Sequence, residues 1–429
     1  MGRGRTQRHR RRKHNFSRSL GSDSSFINLL KWMRRNGFHG TFLNPANFRD
    51  TGRGLMASNA IRSGDLLISL PENLLITTDT VMKSYLRELI IRNFPRLSPE
   101  QVLCTFLICE RCRGRLSFWR YYILSLPKDF TTPVYFQDAE LCLLPGTIRT
   151  RAFSEKEKIV EAYNQLEHFF SNVEAAFPEF RGLFTFDSFR WAWCVVNTRS
   201  VYMKREKSVH LSEDVDHYAL APLLDLLNHA NSVEVQAAFN MTTKCYEIHT
   251  LTPCKKHSQV FIHYGPHDNV KLFLEYGFVL PKNDQNFVEI PFSKILKSMH
   301  ELCRSKQDRS FLDWKVSFLE SMDSLTKLTC SLDGVSWKLM TVMQILSMEQ
   351  GERSAWKSIL LGQSACSDRC AKMAAVSLKA ILLNELEILK ALPKVPEPVQ
   401  EIYHGHIIKQ LRNEQQEILE RSVELLESG

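Results

Sequence analysis

No apolar run in the chain approaches the roughly 20 residues that a membrane-spanning helix requires, so a transmembrane reading fails. Glycine and proline are not enriched, at 18 and 16 of 429 residues, which excludes collagen-like and low-complexity architectures. The basic N-terminus has no apolar segment behind it, and a secretory signal is not expected. There is no internal repeat. Eleven cysteines are scattered singly, an odd number with several inside helical or strand patterns, as in a chain kept in a reducing compartment. Cys109 and Cys112 have the spacing of half a zinc site, but no second pair follows, so they read as neighbours on a helix and no metal is expected.

Charge is unevenly placed. The net charge is +9, yet the first 20 residues hold eight Lys/Arg and no acid, leaving 48 Lys/Arg against 47 Asp/Glu. The body therefore carries no basic footprint, and direct sequence-specific binding to nucleic acid is not expected. The basic block Arg8 to Lys13 is disordered by composition, and is a candidate nuclear address or nucleic-acid-binding tail. The expected localisation is nucleus and cytoplasm. Met1 to Thr6 also fits the loose N-myristoylation pattern, which is short and common by chance.

Periodicity predicts an amphipathic helix over 26–37 (Phe26, Leu29, Leu30, Trp32, Met33), then short strands at Leu55 to Ala57, Leu66 to Leu70 and Leu74 to Thr77. Helical patterns dominate 79–198. Ser98 to Gln101 is a capping box with proline at the first helical position. Ser154 to Glu157 reads as a second box, opening a helix through Phe169 and Phe170, and Trp191, Trp193 and Val195 sit in a helix ending near Asn197. Strands return over 199–264: Gln236 to Met241 and Lys244 to His249 as a hairpin, and Gln259 to Tyr264 ending at Gly265. A short helix follows at Asn269 to Tyr276. Helices continue beyond 292 to an amphipathic final helix marked by Leu411, Ile418 and Leu425.

Three segments carry candidate chemistry. Gly52-Arg53-Gly54-Leu55 sets two glycines two apart, which permits close approach of backbone to a ligand or simply a turn. Ala57 replaces the third glycine of a dinucleotide fingerprint and a strand follows, so a Rossmann reading fails. Asp225, Asn228 and His229 end a strongly apolar stretch, where buried amide and imidazole groups need partners, whether in a satisfied turn or on a ligand. Tyr264-Gly265 and Tyr276-Gly277 flank the short helix, and a tyrosine hydroxyl can donate, accept and move a proton.

In this order the three segments resemble the motifs of the SET-domain protein methyltransferases. A helical insertion between the first and second motifs and a helical C-terminal region resemble the Rubisco large-subunit methyltransferase subgroup. The resemblance implies an α+β architecture: a β-rich SET fold of pseudoknotted small sheets, split by a helical insertion and followed by an all-helical C-terminal domain. The expected boundaries are a disordered tail at 1–24, a SET domain at 25–290 and a helical substrate-binding domain at 291–429. Core strands are expected over 40–78 and 199–290, with the insertion over 79–198.

The resemblance also implies S-adenosyl-L-methionine as cofactor. Gly52, Arg53 and Gly54 would hold its amino-acid end, Asn228 and His229 its amino group and adenine, and Arg199 its carboxylate. Asp225 is a cofactor-loop residue or a structural one. Asp268 and Asn269 fall in a cofactor-contact segment whose residue types vary in the family. Tyr264 is the catalytic candidate, with Tyr276 and Val201 at the substrate pocket. A lysine of pKa near 10.4 arrives protonated at neutral pH, and an aromatic pocket would lower that value and attract a methylated ammonium. The zinc-binding segment that follows many SET cores is missing. The expected substrate is a protein, a histone tail or a non-histone one; the oligomeric state stays open with a monomer favoured. Two alternatives remain: histidine methylation, against which the apolar Val201 leans because a histidine-methylating relative carries a polar pair there, and a non-catalytic adaptor.

Overall fold

The structure, a computed structural model, describes residues 18–204, 206, 208–321, 325–400 and 402–428. The expected basic block and the myristoylation pattern lie outside the described residues. The described residues divide into two compact units, one running up to Phe130 and over Ile159–Pro266, the other over Thr131–Lys158 and onward from His267.

Among the described residues of the first unit, ten strands form three small sheets. They are β1 (Arg18–Ser19), β2 (Leu43–Phe48), β3 (Gly52–Ala57), β4 (Leu66–Pro71), β5 (Ser200–Tyr202), β6 (Tyr218–Leu220), β7 (Asn228–His229), β8 (Val235–Asn240), β9 (Cys245–Thr250) and β10 (Gln259–Ile262). One sheet has the order β1-β2-β3-β10-β7, a second β4-β9-β8, and β5 pairs with β6. In β9, Tyr246, Ile248 and Thr250 are buried while the residues between them are half-exposed, the period of two expected where one face meets a core. The expected hairpin is present as β8 and β9, with Asn240 opposite Cys245. Leu74 to Thr77 is not a strand: the turn Glu72–Leu74 takes in its first residue, and only Ile76 forms a bridge, to Leu220. An apolar run of that length is equally buried in an irregular segment, so hydropathy does not distinguish the two.

The helical insertion has a legible start. Ser98 accepts from the Gln101 N–H at 3.1 Å and Gln101 accepts from the Ser98 N–H at 2.9 Å, opening the helix Pro99–Arg113. Most of that helix is buried, and it packs on Phe186–Arg199. Phe169, Phe180 and Phe189 lie fully buried nearby in sequence, and Phe170 stacks on Phe184 at 4.4 Å. The second expected capping box is wrong. Helix Gly146–Asn164 runs unbroken through Ser154, which is exposed, and Phe169 and Phe170 belong to the separate helix Glu167–Ala176. A Ser-x-x-Glu spacing on the outer face of a helix is the same string of letters as a cap; only the backbone around it decides.

The second unit is helical, as expected beyond 292, with helices Phe292–Leu302, Lys306–Ser321, Trp337–Ser347, Asp368–Lys390 and Tyr403–Ser428. It is not all-helical. Strands β11 (Val288–Glu289), β12 (Thr329–Ser331) and β13 (Gly334–Val335) form a small sheet, too short to leave a period in the sequence. The unit does not follow the boundaries 79–198 and 290/291 either. Phe136, Leu141 and Ile148 of the insertion and Phe273 of the 267–290 segment bury themselves with Ile407, Ile408 and Leu411 of the final helix. Arg18 and Ser19, assigned by sequence to the tail, pair with Asn47 and Ala46.

The capping reading has a direct check. Ser98→Ala is expected to destabilise by about 1 kcal/mol, whereas Ser154→Ala, in mid-helix, is expected to be neutral or stabilising by about 0.5 kcal/mol at most. Urea midpoints of the two variants against the parent measure the contrast.

Candidate active site

The first unit brings three distant segments to one sheet edge. β10 pairs antiparallel with β3, Gln259 opposite Met56 and Val260 opposite Leu55. On its other side β10 pairs parallel with β7, Phe261 opposite Asn228 and Ile262 opposite His229. The Gly-Arg-Gly strand, the Asn-His pair and the approach to Tyr264 are thus adjacent.

Side chains lock this arrangement. The Asn228 carboxamide Nδ2 donates to the Arg53 carbonyl at 3.0 Å and lies 3.4 Å from that of Thr51. It can do so because residue 54 has no side chain: a Cβ there would stand 3.0 Å from Asn228 Nδ2 and 2.7 Å from Gln259 Nε2. Gly52 serves differently. Its φ of +67° is left-handed, and nothing lies within 4 Å of where a Cβ would be, so backbone is open to an approaching group. Two residues past β10, the Tyr264 N–H donates to His229 Nδ1 at 3.1 Å, and its hydroxyl donates to the Leu227 carbonyl at 2.7 Å. Accepting at Nδ1 puts the proton of the neutral ring on Nε2. The two rings stack at 5.1 Å, with His229 buried.

Beside this edge sits a charge cluster. Arg53 Nη1 donates to the Ser125 carbonyl at 2.7 Å, and Arg199 Nη1 donates to the Asp225 carbonyl at 2.8 Å. The Tyr122 hydroxyl donates to Asp225 Oδ2 at 3.2 Å. Burial pushes the Asp225 carboxyl up to about 6, against the pull of Arg199, Arg53 and the Tyr122 hydrogen bond. Burial and then the charge of Arg199 lower the Arg53 guanidinium, with Asp225 opposing. Arg199 Nε is buried without a hydrogen-bond partner among the described residues. Two cations facing one acid, with an unsatisfied donor, suit a further anionic group such as a carboxylate. Leu223, just before the turn Leu224–Leu226, is fully buried and has φ +69°, a sparsely populated conformation that costs about 1–3 kcal/mol.

Of the expected site residues, Gly52, Arg53, Gly54, Arg199, Asp225, Asn228, His229 and Tyr264 are joined in this unit, and Val201 follows Arg199 in β5, opposite Ala219. Tyr276, Asp268 and Asn269 belong to the second unit. There, Tyr276 stacks with His267 at 6.2 Å, and burial, with Glu275 adding, pushes its hydroxyl up to about 12. Asp268 caps the short helix Asn269–Lys271. The Asn269 side chain is engaged within the protein. Its carboxamide is taken up by Leu280, Asn283 and Glu414 at 2.7 to 3.1 Å, so it braces the unit. Tyr122 and Ser125 escaped the sequence reading. They lie on the short helix Arg120–Ser125, where no motif separates buried Tyr122 from Tyr121.

Comparison with known proteins agrees with this geometry. The SET domain family profile matches residues 52–265, from the Gly-Arg-Gly strand to the Tyr-Gly motif. SET domain-containing protein 4 of Mus musculus is 38% identical over 437 aligned residues, covering 99% of this chain and 97% of that protein. The chain belongs to the SET-domain family, a family of S-adenosylmethionine-dependent methyltransferases. SET domain-containing protein 4 of Homo sapiens is 41% identical over 84% of this chain and 82% of its own length. The fold is shared with the SET domain of LSMT bound to lysine and AdoHcy, at a TM-score of 0.64 and 19% identity, covering 94% of this chain and 91% of that one.

Gly54→Ala is expected to displace Asn228 or Gln259 and destabilise the fold by about 1–3 kcal/mol, visible as a lowered melting temperature. Asp225 makes a pH prediction. Its folded pKa is raised, so its stabilising contribution is complete below the unfolded value near 4 and is lost as pH rises through about 6. Relative to Asp225→Asn, the parent is expected to lose stability between about pH 4 and pH 6.5, measured by urea unfolding of both proteins across that range.

Proposed function

We propose that this chain transfers a methyl group from S-adenosyl-L-methionine to the side-chain nitrogen of a lysine in another protein. The observation that carries the reading is the fixing of Tyr264, through its N–H and its hydroxyl, onto the Leu227–His229 segment that also grips the Gly-Arg-Gly strand. The bound cofactor supplies an electrophilic methyl group. The residues present suit it: Arg199 and Arg53 offer charge for a carboxylate, and the open backbone at Gly52 offers space for its amino-acid end.

The protein's own contribution is positioning. Asn228 holds the Gly52–Gly54 backbone in place. The Tyr264 hydroxyl donates a hydrogen bond to the Leu227 carbonyl, which leaves the oxygen's lone pairs to accept an N–H from the target amine and aim its nitrogen. Alignment of this kind, in a fixed polar setting, supplies much of the rate in a displacement reaction. An amine delivered to an apolar, aromatic environment sheds its proton more readily, a role the family resemblance gives to Tyr276. The apolar Val201 favours lysine over histidine. The substrate class we favour is a histone tail or a non-histone protein, met in the nucleus and cytoplasm, with the C-terminal helical region contributing to its binding and the basic N-terminal block to nuclear entry.

The test is transfer of label from methyl-labelled cofactor to proteins of nuclear and cytosolic extracts, with sites mapped by mass spectrometry. Label on lysine that falls by about 10²–10⁴ in Tyr264→Phe, with cofactor binding retained, is the expected result. Label on histidine would replace the lysine reading. Cofactor binding without transfer in any extract would favour an adaptor, and no cofactor binding would overturn the assignment of the three segments.

A further inference from the structure

The second unit contains a cavity of about 490 Å³, well away in sequence from the motifs above. Its walls include Met299, Leu302, Phe311, Leu312 and Met373, and it also reaches Lys315. This is the size range of small-molecule sites, in which an apolar lining is combined with a few oriented polar groups.

Lys315 is unusual for a lysine in being only 6% exposed. Its ammonium donates to the carbonyls of Leu346 and Met348 at 2.7 and 2.6 Å, at the end of helix Trp337–Ser347, and lies 4.4 Å from the Phe311 ring centre. Such contacts orient a cation without cancelling its charge. No carboxylate among the described residues forms an ion pair with it. The other charges around the cavity are already engaged: Arg369 bridges Glu349 and Glu352, and Asp308 accepts the backbone N–H groups of Arg304 and Ser305. Ser347 also lines the cavity, and its hydroxyl is buried with no hydrogen-bond partner among the described residues. Burial lowers the Lys315 pKa to about 8, as expected for a cation desolvated without an anion beside it. A capping lysine explains the two carbonyl contacts. It does not explain why the charge is buried where a cavity reaches it, with the Ser347 hydroxyl unmatched among the described residues.

We propose that this cavity is a second ligand site, independent of the methyl-transfer centre, that takes a carboxylate borne on an apolar body, the carboxylate meeting Lys315 and Ser347 and the apolar part lying along Met299, Phe311 and Met373. The same chemistry is available from a free amphipathic acid or from an acidic peptide residue between apolar neighbours.

The full chain is titrated by calorimetry with decanoate, with its methyl ester, and with a capped Leu-Asp-Leu peptide. Saturable binding of decanoate or of the peptide, with no binding of the ester, is expected; which of the two binds identifies the source. Lys315→Met is expected to weaken binding by about tenfold or more, the loss of one hydrogen bond to a charged group. Because that change also strips two helix-end carbonyls of their donor, Met373→Glu is the companion variant. It adds negative charge at an exposed lip position and is expected to weaken the acid severalfold without altering the melting temperature. Equal binding of acid and ester, binding unmoved by both variants, or no binding of either acid would overturn the proposal. The methyl-transfer assay plays no part in this readout, so the two readings fail separately.

Discussion

Two residues of β7 lie against two residues of β10, and this short parallel pairing is what the candidate site of the first unit rests on. Parallel neighbours cannot be joined by a tight turn, and here the connection carries the whole β8–β9 hairpin before the chain returns. So brief a ladder contributes few backbone hydrogen bonds. Its register is held from the sides, by the Asn228 carboxamide reaching across the space that Gly54 leaves and by the Tyr264 N–H on His229. Backbone proximity at Gly54 is therefore the precondition for the polar contacts, and those contacts are the precondition for where the Tyr264 hydroxyl points.

A second theme links the two units. In each, a cation is oriented by neutral carbonyls: Arg53 by Ser125, Arg199 by the main chain of Asp225, Lys315 by Leu346 and Met348. A carboxylate in the same place would orient the group equally well but would also neutralise it. Carbonyls leave the charge in force, and in a partly desolvated setting that charge acts more strongly than it would in water. At the first site one acid, Asp225, moderates two guanidiniums, and its own raised pKa reports that the burial it suffers outweighs their attraction.

Parts of this architecture were legible from local pattern. The Ser98 cap, the hairpin over 235–250, the helix bearing Trp191 and Trp193, and the buried stripe of the final helix through Leu411 and Ile418 all arise from interactions within a few residues of one another, and sequence spacing reports those directly. Where spacing is ambiguous, the structure departs from the local pattern for identifiable reasons. Ser154 has the letters of a cap on the exposed side of an established helix; Leu74 to Thr77 has the hydropathy of a strand in a buried loop; β11 to β13 are too short to show a period.

The sequence by itself determined the residue types that could do chemistry and their order: two glycines around an arginine, an Asn-His pair after an apolar run, and a Tyr-Gly pair after a strand. It also determined, through the family resemblance of that ordered set, which cofactor to expect. Only the tertiary structure decided that Asn228 braces Arg53, that Tyr122 and Ser125 complete the arginine cluster, and that the Asn269 carboxamide serves the packing of its own unit. Those outcomes depend on contacts between residues far apart in the chain. Whether a buried polar atom is satisfied by protein or left for a ligand depends on which distant group arrives beside it, and that is a property of the packed chain.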